Sequence, residues 1–193
     1  MQKNLRRLTT RVTAQTLYNY RPTTTAAKDP MKQYQGAVNR AQGKNFERLI
    51  DEALAYYEQK GAAAVEKTPE PMRPTKDLGN GKFISYYEKQ AQPDYKGTIK
   101  GGRSVVFEAK HTTSDRIEQN RVTQEQSDRL DKYHSMGALC FVFVGFNMRD
   151  FFKVPWEVWR DMKTHFGHKY ATPEELEAYK VPLGRNGVLL LLD

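Results

Sequence analysis

The hydrophobic pattern changes character several times along the chain, and each change marks an element. Between Phe46 and Tyr57 the apolar residues Phe46, Leu49, Ile50, Ala53, Leu54 and Tyr57 recur at i, i+3, i+4, i+7, i+8 and i+11. That spacing lays them on one face of an amphipathic helix, and Gly61 supplies its C-terminal stop. Ala62–Lys67 reads as a short buried strand. Thr68–Gly81 carries Pro69, Pro71 and Pro74 and closes on Gly79-Asn80-Gly81, the composition of a projecting loop or hairpin arm. Lys82–Lys89 alternates weakly and reads as the strand returning from that arm. Asp94–Lys100 and Arg103–Lys110 form a predicted hairpin that turns at Lys100-Gly101-Gly102.

Further along, Val122–Met136 is a polar helix with Leu130 and Tyr133 on its buried side. Ala138–Phe146 is almost wholly apolar, as a strand buried on both faces must be. Phe151–Val154 is a short strand, and Pro155 opens a helix over Trp156–Met162. Thr172-Pro173-Glu174-Glu175 has the cap, the N1 proline and the first-turn acids of a helix start. Gly187–Leu192 reads as a closing buried strand. The order describes an α/β domain, a mixed central sheet flanked by helices, over residues 39–193, with residues 68–82 projecting from it. Met1 to about Gln42 shows weak periodicity and reads as a flexible arm, residues 1–38 in the domain division.

Charge sharpens that division. Residues 1–44 hold nine Lys/Arg and one acid, Asp29, so the whole formal excess of +8 lies there and the rest of the chain is neutral. A basic arm on a neutral body suits a polyanion such as a nucleic acid backbone; a solubilising tail reads the same way. No apolar run is long enough to span a membrane. The start lacks the apolar centre of a secretory signal and mildly resembles an organelle transit peptide. The single cysteine, Cys140, sits in an apolar run and excludes an internal disulfide. The aromatic cluster Phe146–Trp159 reads as core and dimer surface.

Chemistry concentrates in Pro93-Asp94 followed by Glu108-Ala109-Lys110. Phosphodiester hydrolysis needs a divalent cation, an attacking water and charge neutralisation at phosphorus. Mg²⁺ takes hard oxygen ligands, often one or two carboxylates with waters. Asp94 at the start of one hairpin strand and Glu108 near the end of the next can lie side by side across the ladder. Glu108 and Lys110, two apart, face the same side, which puts an ammonium beside the attacking water. Asp94 also reads as a turn residue, and Glu108 with Lys110 as an exposed pair. Against this, Val105-Val106-Phe107 drives the strand into a core, where a charge is costly unless paired or metal-bound.

These residues and their neighbours resemble the RecU-type Holliday junction resolvases of the PD-(D/E)XK nuclease superfamily. The resemblance runs from about Asn39 to the C-terminus, through Asn39–Glu47, Lys67–Pro71, Asp94-Tyr95-Lys96-Gly97, Phe107–Lys110 and Cys140-Phe141-Val142. It implies a restriction-endonuclease-like core. It also implies Asp94 and Glu108 as metal carboxylates, Lys110 as the transition-state lysine, Gln126 completing the metal shell and Glu47 as a further acid near the metal. Gln126 otherwise reads as a surface glutamine, and Glu47 as an exposed helix acid. At Gln92 the family commonly has a metal-contacting Thr, so a Gln carbonyl or the backbone would substitute there. One extra residue between Asp94 and Glu108 is absorbed by the Gly101-Gly102 turn.

The resemblance implies a homodimeric, Mg²⁺-dependent endodeoxyribonuclease, with Mn²⁺ as a substitute. It would cut four-way or branched DNA to leave a 5′-phosphate and a 3′-hydroxyl, in bacterial or viral cytoplasm; an organelle is also consistent. Residues 68–82 resemble the stalk that enters the junction. Lys67, Arg73, Lys76 and Lys82, with Arg40 and Lys44, suit phosphate contact. Two alternatives stay open: another nuclease of the superfamily acting on branched or linear DNA, and an inactive DNA- or RNA-binding relative.

Overall fold

Helix α1, Pro30–Gln59, is longer than the Phe46–Tyr57 stripe that predicts it. In this computed structural model, residues 30–69, 71–87, 92–185 and 187–193 are described. The chain divides between Ala37 and Val38, and the sheets and both cores belong to the part from Val38 onward. Most of the basic arm expected over residues 1–38 lies outside the described residues. The buried members of the helix stripe are Phe46, Ile50, Ala53, Leu54 and Tyr57. Beyond the helix, Gly61 takes φ +62°. Its N–H donates to Glu58 O at 2.8 Å and that of Ala62 donates to Tyr57 O at 2.9 Å. Those two bonds close a Schellman cap, for which a glycine at the left-handed position is the least strained choice.

Among the described residues nine strands follow in chain order with three further helices. β1 is Ala63–Lys67, β2 Met72–Gly79, β3 Lys82–Tyr87, β4 Tyr95–Ile99, β5 Ser104–Thr112, β6 Ile117–Glu118, β7 Leu139–Phe146, β8 Asp150–Pro155 and β9 Tyr170–Ala171. The helices are α2 Gln124–Ser135, α3 Trp156–Arg160 and α4 Met162–Phe166. The central sheet has the order β1-β4-β5-β7-β8. Only β5 and β7 pair in parallel; the other neighbours are antiparallel. A parallel pair needs a crossover, and α2 is that crossover. The sheet is therefore mixed and helix-flanked, as the pattern predicts.

Side chains alternate across the sheet and build two cores. Val105, Phe107, Phe141, Phe143 and Phe151 pack on α1. Val106, Val142, Val144, Leu130 and the tryptophans Trp156 and Trp159 pack on the other face. Tyr95, Phe107 and Phe141 lie in register on β4, β5 and β7. Their rings stack at centroid distances of 4.7 and 4.6 Å. Extending the same ladder by one residue brings Asp94 opposite Glu108.

The arm takes the hairpin form. β2 and β3 make a two-stranded sheet of their own, with register shifts after Pro74 and Asp77, so from Met72 the segment is strand and not loop. Two expectations are corrected. After Thr172 the capping bonds form, Thr172 N–H to Glu175 Oε2 at 3.0 Å and Glu175 N–H to Thr172 Oγ1 at 3.4 Å. Only turns and one 3-10 turn, Glu177–Tyr179, follow. The chain is recaptured by β8 too soon for an α-helix, Val181 N–H bonding Phe151 O at 2.8 Å. Gly187–Leu192 joins no sheet and holds a single bridge, Leu183 to Leu189. It is anchored by its buried Leu189 and Leu191 and by Tyr57, whose hydroxyl donates to Asp193 Oδ1 at 2.8 Å and accepts from Leu192 N–H at 3.2 Å. The pair β6 and β9 and the break between α3 and α4 at Asp161 carry no pattern long enough to read. No described helix is long and apolar enough to cross a membrane.

Candidate active site

The site begins where β4 has not yet started and β5 is still buried. Asp94 precedes the first β4 residue, so β5 has no β4 backbone partner at that level. The Asp94 carboxylate takes that role: its Oδ2 accepts from Ala109 N–H at 3.0 Å. A strand N–H that would otherwise be unpaired thus fixes the carboxylate. The same oxygen lies 3.4 Å from Lys110 Nζ.

Glu108 is the only charged residue among the described ones that is fully buried, at 0% exposure. Its Oε2 accepts from Lys110 Nζ at 2.8 Å and from Gln126 Nε2 at 2.5 Å. Its Oε1 is buried with no hydrogen-bond partner. Burial, and then the charge of Asp94, push its carboxyl up to about 8, with Lys110 pulling the other way. A buried carboxylate oxygen without a donor is a costly group that calls for a cation. Among the described residues no three His, Cys, Asp or Glu side chains gather into one cluster. Two carboxylates with waters are what Mg²⁺ accepts, so the donor set fits that ion.

Gln126 is brought to the site by the start of α2. Thr123 and Gln126 form a capping box: Gln126 N–H donates to Thr123 Oγ1 at 3.3 Å, and Thr123 N–H donates to Gln126 Oε1 at 3.1 Å. The cap occupies the amide oxygen and leaves Nε2 to hold Glu108. In this geometry Gln126 enters as a donor to the carboxylate. The Thr-x-x-Gln spacing that does this was legible as a helix start but was not read as a positioning device.

The other expected site residues are more dispersed. Glu47 pairs with Lys67, Nζ to Oε2 at 2.7 Å, both about half exposed. Lys67 is raised by that hydrogen bond first, and it also feels Asp51 and Asp94. The pair therefore borders the Asp94 side of the site, and Lys67 already has an acid for a partner. Gln92 Oε1 accepts from Lys96 Nζ at 3.0 Å. Arg40 and Lys44 are exposed on α1, while Arg73, Lys76 and Lys82 are exposed on the arm. Sequence reasoning passed over Arg121, whose guanidinium donates to His111 O at 3.3 Å just beyond Lys110.

The sequence model of the family described as Recombination protein U matches residues 41–191. The chain is 30% identical over 128 residues to the Holliday junction resolvase RecU of Streptococcus sanguinis, covering 62% of this chain and 64% of that protein. It is 28% identical over 111 residues to that of Streptococcus gordonii, covering 54% and 55%. The chain thus spans between half and two thirds of these relatives. Among solved structures it is similar to Hjc, a Holliday junction resolvase of Archaeoglobus fulgidus, at 13% identity and a TM-score of 0.44, over 72% of this chain and 89% of that one.

Proposed function

Because the chain belongs to the Recombination protein U family, we propose that it is a cytoplasmic endodeoxyribonuclease that resolves four-way DNA junctions. The observation that carries the chemistry is the donor-free, buried Oε1 of Glu108 beside Asp94. Asp94 and Glu108 would hold a divalent cation, Mg²⁺ or Mn²⁺. When bound, that ion supplies Lewis acidity at the phosphate and activates a water. Gln126 Nε2 and the Ala109 N–H hold the two carboxylates in place, so little reorganisation accompanies reaction. The Lys110 side chain, which reaches both carboxylates, neutralises charge developing on the phosphoryl oxygens. The water oxygen bonds to phosphorus as the P–O3′ bond breaks. The attacking water gives up one proton to solvent and O3′ takes one up from solvent, leaving a 3′-hydroxyl and a 5′-phosphate.

A homodimer with two-fold symmetry would present two such sites to symmetry-related strands. The test compares an immobile four-way junction, a mobile one and plain duplex, with wild type and Asp94→Ala side by side. Wild type should nick junctions in paired fashion in Mg²⁺ and leave duplex largely uncut. Asp94→Ala should bind junctions with unchanged affinity and cut them about 10³-fold more slowly. Undiminished cleavage by Asp94→Ala would sink the site; equal rates on junction and duplex would sink the selectivity in favour of a general nuclease.

A further inference from the structure

At the end of β5 the protein opens a polar cleft that the proposed active site does not use. It has a volume of about 310 Å³ and is lined by Gly43, His111, Thr112, Thr113, Ser114 and Arg121. The geometry points to this cleft as a seat for a DNA backbone phosphate a few nucleotides from the scissile one, with Arg121 as its cation. This rests on the nuclease reading above and adds a contact to it.

Three features support the assignment. First, Arg121 is poised. Its guanidinium is tethered by one bond to the His111 carbonyl, and among the described residues no carboxylate pairs with it. Arg48, Arg116 and Arg160, by contrast, each have an acid partner. A fixed guanidinium with spare donors is the side chain best suited to phosphate. The hydroxyls of Thr112, Thr113 and Ser114 are of the kind that accompany it.

Second, the cleft is kept open by a residue the helix would not otherwise choose. Gly43 lies inside α1, where glycine is unfavourable relative to alanine. A Cβ built on it would meet nothing within 4 Å, so neither packing nor a close backbone approach explains the glycine. It lies on one helix stripe with Arg40 and Glu47, at i, i−3 and i+4. The cleft therefore continues the line from the Glu47 border of the site toward the basic end of the helix.

Third, the spacing suits a nucleic acid strand. At ~3.3 Å per residue, Thr112 stands ~13 Å beyond Glu108 along β5. A strand whose scissile phosphate sits at Glu108 therefore has a neighbouring phosphate, not the scissile one, within reach of the cleft. A neighbouring cleft of about 400 Å³ shares Thr112, Ser114 and Arg121 but adds two acids, Asp115 and Glu118, against one cation, Arg116, which is already paired with Glu118. Those acids disfavour a polyanion, so the phosphate belongs on the Gly43 side.

The test titrates a fluorescein-labelled immobile four-way junction, in EDTA and across a salt series. It uses wild type, Arg121→Gln and Gly43→Gln, each checked by thermal melting. Arg121→Gln should bind roughly three- to ten-fold more weakly, with the slope of log affinity against log salt reduced by about one. Gly43→Gln, which fills the cleft, should weaken binding similarly. Binding by Arg121→Gln within two-fold of wild type with an unchanged slope overturns the proposal, and so does wild-type binding by Gly43→Gln. A wild type that binds with this Arg121 dependence yet never nicks in Mg²⁺ overturns the nuclease reading and leaves the cleft standing. A wild type that binds no DNA overturns both.

Discussion

β5 and β2 are strands of nearly equal length, nine and eight residues, in opposite surroundings. β5 lies between β4 and β7 with a helical layer on either face, and Val105–Glu108 are all buried. β2 has only β3 beside it, and every one of its residues is exposed. The same local preference for extended backbone thus yields a rigid shelf in one place and a bare ribbon in the other. On the shelf, burial makes a carboxylate expensive, a cost that a bound cation would relieve. On the ribbon no side chain is desolvated. Leu78, Phe83, Ile84 and Tyr86 stay about half exposed, and an isolated hairpin has little stability of its own. The body should therefore punish substitution severely, and the arm should report on a partner and not on folding.

The most damaging single change should be Gly97→Ala on β4. A Cβ there would run into the carbonyl oxygen of Ala64 and the Cα of Val65 on the adjacent edge strand. Both obstacles are backbone and cannot rotate away, so β1 must leave the sheet or β4 must buckle. The expected cost is about 3 kcal/mol, a fall in Tm of roughly 10 °C for a chain of this size. A melt within experimental error of wild type would mean that β1 is not held to β4 as described. Gly97 ends the Asp94-Tyr95-Lys96-Gly97 stretch, so here a family-like motif has a packing reason beside its proposed catalytic one.

A smaller effect of opposite sign is expected at Glu108. In metal-free protein its carboxyl is pushed up to about 8 from 4.5, chiefly by burial. Between those two values the folded state holds a proton that the unfolded state has lost. Stability of the metal-free protein should then fall as pH rises through that window and level off on either side. Glu108→Gln, which keeps the shape without the charge, should flatten the slope and stabilise the metal-free protein by about 1 kcal/mol at pH 8, while cleavage disappears. Lys110 retains Asp94 as a partner. Urea melts in EDTA at pH 5 and pH 8 measure this; a Glu108→Gln protein less stable than wild type at pH 8 would refute the account of the buried charge.

The same contrast explains what was readable from sequence. β7 and the α1 stripe were legible because burial imposes a long, regular pattern, and Asp94, Glu108 and Lys110 because strand alternation and the hairpin put them together. Less legible were features decided by one or two hydrogen bonds. The Gln126 amide is turned by its own helix cap, and Lys67 is claimed by Glu47 from twenty residues away. Arg121 gains meaning only from the shape of the cleft. The end of the chain was misread because hydrophobic residues signal burial and not pairing: Leu189 and Leu191 are buried without a ladder.

The smallest effect on stability should come from the largest change to the chain, removal of the arm. Replacing Met72–Tyr87 with a short Gly/Ser linker deletes both strands of the second sheet but none of the residues in the two cores. Loop closure depends only weakly on length, so Tm should stay within about 2 °C of wild type. Junction binding should respond instead. Loss of Arg73, Lys76 and Lys82 together should flatten the salt dependence by up to about three ion equivalents. Loss of the exposed apolar surface should also erase any preference for a four-way junction over duplex of equal length. If the shortened protein melts far below wild type, the arm is part of the fold and the contrast with β5 fails. If it is stable and still prefers junctions, the contrast stands but the preference comes from the body, and the Arg121 cleft is the next place to look for it.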